Sequence, residues 1–111
     1  MAVTHARPVD PATLQQLIND SAGPLLIHFT ADWCGPCQGM ASQLESFAAA
    51  RSADLPVVKL DIDAYPEVAR RFMVRSVPTL MLLQDGAVLG IHVGALSASQ
   101  LARFVDQHGI G

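Results

Sequence analysis

Cys34 and Cys37 are the two cysteines of a 111-residue chain, and they stand three apart in "DWCGPC", where an oily run gives way to a helical pattern. Side chains three apart in a first helical turn share one face. Their Cα atoms should then lie about 5 Å apart, inside the range a disulfide accepts. The same turn offers unpaired N–H groups and the positive end of the helix dipole, both of which stabilise a thiolate. Gly35 leaves the approach to the first sulfur open, and Pro36 gives up an N–H that would have no intrahelical partner. A pair that can close into a disulfide, reopen and present an activated thiolate is a redox couple. A bridge across so short a loop constrains the unfolded chain very little, so stabilisation is a poor reason for having it.

Zinc is the main competing chemistry. A structural site needs four ligands, and two would have to come from His5, His28, His92 and His108, which lack the short His–His spacing of a zinc finger. An iron–sulfur cluster would need two further cysteines, and two merely buried thiols are the remaining alternative. Asp61 and Asp63 form a pair of carboxylates only on paper, since their place after an apolar run suits a strand end and a helix cap. His5, His92 and His108 suit the surface or a rim.

The elements that position the pair follow from periodicity and punctuation. Asp10 before Pro11 opens a helix over "PATLQQLIND", and Ser21 to Pro24 break the chain. "LLIHFT" is a nearly continuous apolar run, as expected of a strand buried on both faces. Within it His28 sits two residues below the strand end, hence about 7 Å beneath the start of the cysteine helix. Met40, Leu44, Phe47 and Ala48 mark that helix as long and amphipathic. "PVVKLDID" predicts a second buried strand and "YPEVARRF" a short helix. "PTLMLLQDGAVLGIHV" predicts a hairpin turning at Asp85-Gly86, and "SASQLARFVDQH" a closing helix with Ser97 and Gln100 in capping-box spacing. "MAVTHAR" could add an edge strand. The expected fold is an α/β single domain over residues 1–111, a mixed sheet covered by helices on both faces.

Composition limits the function. Half the residues are hydrophobic and 15% are charged, with a formal net charge of −3, which excludes a disordered segment. The one basic cluster, Arg70, Arg71 and Arg75, suits a solvated helix face and is too small for a nucleic-acid footprint. No apolar run approaches the ~20 residues of a membrane span, and the N-terminus carries no signal-peptide pattern. A cytoplasmic protein without nucleic-acid or membrane partners is expected.

"WCGPC" resembles the active-site motif of thioredoxins. "FTADWCGPC", "VVKLDID", "VRSVPTL", "DGAVLG" and "VGALSASQL" follow in that family's order and spacing, from about Leu25 onward. The resemblance implies a thioredoxin fold and a protein-disulfide reductase without a bound cofactor, the electrons residing on the two sulfurs. It also implies a monomer re-reduced by a flavin-dependent thioredoxin reductase that draws on NADPH. Cys34 would attack the substrate disulfide and Cys37 would resolve the mixed disulfide. Trp33, Gly35 and Pro36 would belong to an apolar contact surface. Val77-Pro78 would be the family's cis-proline turn, with Val77 offering backbone groups to a bound peptide, and Gly94 and Ala95 would complete the rim. A thiol oxidase or isomerase, and a non-catalytic chaperone-like module using that rim, are the alternatives.

The chain also departs from the family. His28 stands where thioredoxins carry a buried aspartate beneath the resolving cysteine, Thr30 where a tryptophan is common, Ser42 for a helix-kinking proline, and Gln38 for a basic residue. Lys59 keeps a buried lysine without its carboxylate partner. The aspartate's role implies that His28 relays the proton of Cys37, and an imidazole could do so near neutral pH without a large pKa shift; a plain core histidine filling the space is the other reading. Burial and Lys59 should keep it neutral. Loss of an anion with retention of the lysine should lower the cysteine pKa values and make the couple more oxidising, by about 30 mV per 1.4 kcal/mol.

Overall fold

The computed structural model describes residues 4–20 and 23–109. Along them run β1 (Ala6–Pro8), α1 (Pro11–Asp20), β2 (Pro24–Thr30), α2 (Gly35–Ala50), β3 (Val57–Asp61), α3 (Pro66–Arg71), β4 (Thr79–Gln84), β5 (Ala87–Val93) and α4 (Ala98–Gln107). The strands form one sheet in the order β1-β3-β2-β4-β5. β1, β3 and β2 are parallel, whereas β4 and β5 are antiparallel additions. This is the expected mixed sheet. Part of the break expected at Ser21 to Pro24, Ser21 and Ala22, lies outside the described residues, as do Met1 to Val3 of the N-terminal segment expected to add an edge strand.

The apolar run of β2 is explained by its central place. Leu25, Ile27 and Phe29 project to one face and pack with Leu14 of α1 and Val68 of α3. Leu26 projects to the other face, against Leu44 and Phe47 of α2 and Leu101 and Val105 of α4. Side chains alternate along a strand, so His28 and Thr30 share the α2 face with Leu26. In β3, Lys59 and Asp61 share that face with Val57, and Lys59 is the register partner of His28.

Local signals set most boundaries. The Asp10 carboxylate accepts Thr13 N–H at 2.7 Å and starts α1. Asp85 and Gly86 both take positive φ, 54° and 80°, as a two-residue hairpin turn of this hand requires. Ser97 and Gln100 form a complete capping box. β3 is shorter than "PVVKLDID" predicts, because the Asp61 carboxylate accepts Asp63 and Ala64 N–H and turns the chain. Asp63 caps no helix: α3 begins after Tyr65, which makes no side-chain cap bond. β1 is the edge strand anticipated in the N-terminal segment. It is held at its start by Glu45 of α2, whose carboxylate accepts His5 and Ala6 N–H and contacts the His5 ring.

Candidate active site

The cysteine pair is built by the first turn of α2. Cys34 is the N-cap residue, in extended conformation, and its sulfur accepts Cys37 N–H at 3.2 Å. Pro36 falls in the first turn, where it removes no helical hydrogen bond. Cys34 and Cys37 are joined as a disulfide with Cα atoms 5.3 Å apart, in agreement with the spacing expected from the sequence. Both sulfurs sit at the positive end of a sixteen-residue helix, which favours whichever sulfur carries charge after reduction.

The pair is less accessible than the sequence suggests. Cys34 is 2% and Cys37 3% exposed, packed with Ala31 and flanked by Ile62 and Val77. Gly35 does face open space, so the restriction comes from neighbours in other elements. Around the buried sulfurs Trp33, Gly35 and Pro36 are exposed, Trp33 to 69%. Its indole N–H donates to the Asp63 carboxylate at 2.6 Å. That contact joins residues thirty apart, and nothing in the local sequence pattern signals it.

Val77-Pro78 is a cis peptide, as the resemblance implied. The Pro78 carbonyl accepts Gly94 N–H at 2.9 Å, and Gly94 takes φ +117°, a conformation open to glycine and strained for other residues. This bond ties the end of β5 to the turn before β4 and brings Gly94 and the following Ala95 to Pro78, while Val77 packs against the cysteines. Trp33, Met73 and Val93 add exposed apolar area.

Behind the pair, between α2 and the sheet, lies a cleft of about 530 Å³ bordered by Cys37, Gln38, His28, Thr30, Lys59 and Asp61 among others. His28 is 2% exposed, and neither ring nitrogen has a hydrogen-bond partner among the described residues. Burial, and secondarily the Lys59 cation, push its pKa from 6.5 to about 4. The imidazole is therefore neutral, as anticipated from burial and Lys59, and its pKa lies well below the near-neutral value that would suit a proton relay best. Lys59 is half buried rather than buried, and no carboxylate among the described residues pairs with it. The other histidines lie elsewhere: His5 against Glu45, His92 and His108 against the Phe104 ring.

No group of three or more His, Cys, Asp or Glu residues able to hold a metal occurs among the described residues. No helix among them is long and apolar enough to cross a membrane.

A family model described as thioredoxin matches residues 5–107. A thioredoxin of Pseudomonas aeruginosa is 42% identical over 102 residues, which cover 92% of this chain and 94% of that protein. A thioredoxin of Mycobacterium tuberculosis is 44% identical over 95 residues, covering 86% and 82%. Among solved structures, a thioredoxin from Nicotiana alata superposes with TM-score 0.87 at 27% identity, over 97% of this chain and 96% of that one.

Proposed function

This chain belongs to the thioredoxin family, and from that premise we propose how its thiol–disulfide oxidoreductase chemistry is divided among its residues. The observation that carries the reading is the Cys34–Cys37 disulfide at the start of α2, packed against Val77 of the cis-proline turn. In the reduced protein the Cys34 thiolate attacks one sulfur of a protein disulfide and expels the other as a thiolate, which takes up a proton. The Cys37 thiolate then attacks Cys34 Sγ, releases the second substrate thiolate and closes the Cys34–Cys37 bond. Two electrons pass to the substrate. An NADPH-dependent thioredoxin reductase returns them.

Substrate binding is assigned to the exposed Trp33, Gly35 and Pro36 together with Val77, Pro78, Gly94 and Ala95. Val77 offers main-chain groups to an extended peptide, the usual way such edges recognise strands. The small residues Gly94 and Ala95 let that peptide approach. The protein works as a single-domain monomer in the cytoplasm.

His28 relays the Cys37 proton through the cleft that both residues border. With His28 near 4 and an ordinary thiol near ~8.5, full transfer to the ring is uphill by about 6 kcal/mol. That is compatible with a transient intermediate, since a barrier of about 6 kcal/mol alone would be crossed far faster than typical turnover. It rules out a standing imidazolium. Compared with a buried carboxylate, a neutral His28 beside Lys59 also favours thiolate over thiol, which stabilises the reduced form, makes the couple a stronger oxidant and supports isomerase or oxidase activity as the second reading.

Insulin reduction tests the assignment. Cys34→Ser abolishes it, whereas Cys37→Ser retains attack but accumulates a mixed disulfide visible by mass. Unimpaired turnover in Cys34→Ser would refute the division of roles.

A further inference from the structure

The layer between α2 and the sheet is filled along most of its length and open at one end. Met40, Leu44 and Phe47 pack onto Leu26, Val57, Leu80 and Leu82. Nearer the first turn, α2 borders the gap with Cys37, Gln38 and Ala41, and Thr30 lies on the strand below. A disulfide sulfur, a methyl group and a small hydroxyl do not fill a layer that Leu and Phe side chains fill further along. The 530 Å³ cleft results, within the roughly 300–1,000 Å³ typical of small-molecule sites.

Its chemistry has two ends. His28 presents two buried ring nitrogens without protein partners, one a donor and one an acceptor in the neutral ring. Lys59, its register neighbour, brings an ammonium that no carboxylate among the described residues pairs. The exposed Asp10 and Asp32 and the half-buried Asp61 also line the cleft, so three carboxylates face one ammonium and the negative charge extends from the mouth inward. A polyanion would be repelled there, and a simple cation would meet Lys59 inside. Buried polar atoms left without partners cost about 1–3 kcal/mol, so an occupant that satisfies them is favoured.

We propose that this cleft binds a small zwitterionic molecule of the amino-acid or short-peptide class, its carboxylate against Lys59 and His28 and its ammonium group toward Asp10 and Asp32. The lining includes Cys37 but not Trp33, Cys34, Val77, Pro78 or Gly94. The occupant therefore meets the redox pair from Cys37 alone and leaves the exposed rim to protein substrates.

Glycylglycine is the probe, with acetate and glycinamide as its anionic and cationic halves, each titrated into isotope-labelled oxidised protein while the His28 ring and Lys59 Nζ signals are followed. Glycylglycine gives saturable shifts at both residues. Acetate and glycinamide bind at least about tenfold more weakly, and Lys59→Met weakens glycylglycine by at least about tenfold, the worth of one charge-assisted hydrogen bond. Thr30→Trp fills the cleft and removes the shifts, with its thermal melt reporting that it folds. The proposal is overturned if glycylglycine produces no saturable shift at His28, if acetate binds equally well, or if Lys59→Met binds glycylglycine as tightly as the parent protein.

Discussion

Replacing His28 by leucine should change how stability depends on pH. The folded His28 has its pKa pushed from 6.5 to about 4, by burial first and by Lys59 second, while in the unfolded chain it titrates at its ordinary value. Between pH 6.5 and 4 the unfolded state therefore holds a proton that the folded state refuses. Stability is unaffected by this group above pH 6.5 and falls by about 1.4 kcal/mol for each pH unit below it. By pH 4 the accumulated loss is about 3 kcal/mol. His28→Leu removes the titration and keeps an apolar group of similar bulk in β2. Urea unfolding of both proteins from pH 7 to 4 should show the variant gaining on the parent by about 3 kcal/mol across that range. Any constant packing difference cancels, because only the change with pH is compared. Glu45, held down to about 2 by the N–H groups of Ala6 and His5, loses its contribution from about pH 4.5 downward in both proteins alike. Parallel pH profiles would refute the reasoning, since they would mean that the folded ring accepts protons as readily as the unfolded one.

Other perturbations isolate other contacts. Glu45→Gln keeps one amide oxygen where two carboxylate oxygens bind His5 and Ala6, so amide exchange at those two residues should quicken while that of β2 stays unchanged; equal exchange in both proteins would remove Glu45 from the anchoring of β1. Asp63→Ala frees the indole of Trp33, the chain's single tryptophan, and should lower its fluorescence anisotropy; unchanged anisotropy would count against that bond ordering the rim. Ser97→Ala removes the capping-box acceptor of α4 and should cost about 1 kcal/mol in urea unfolding.

What the sequence made legible was local. The i, i+3 cysteines, the first-turn proline, Asp85-Gly86 and the Ser97–Gln100 box each act within four residues. Each appears where its chemistry requires. Apolar runs marked the strands because β2 and β4 are buried on both faces. The cis geometry at Pro78 came from the family resemblance, as no local pattern specifies it. Contacts between distant positions stayed hidden: Trp33 with Asp63, His5 and Ala6 with Glu45, Pro78 with Gly94. The burial of Cys34 was missed because it depends on Ile62 and Val77, which arrive from other loops. The cleft was missed for a related reason, since a void is set by the small size of residues on two separate elements, α2 and β2. His28 could be flagged as unusual from sequence, but its pKa and its unpartnered nitrogens follow from the space around it.

The central claim is that a neutral His28 beside Lys59, in place of an anion, shapes the Cys34–Cys37 couple. Its most direct test is the reduction potential of that couple in the parent protein and in His28→Asp, each equilibrated with a glutathione redox buffer. The parent should be the less reducing of the two, by about 30 mV for every 1.4 kcal/mol by which the introduced carboxylate disfavours thiolate. An equal potential, or a parent more reducing than His28→Asp, would contradict the account.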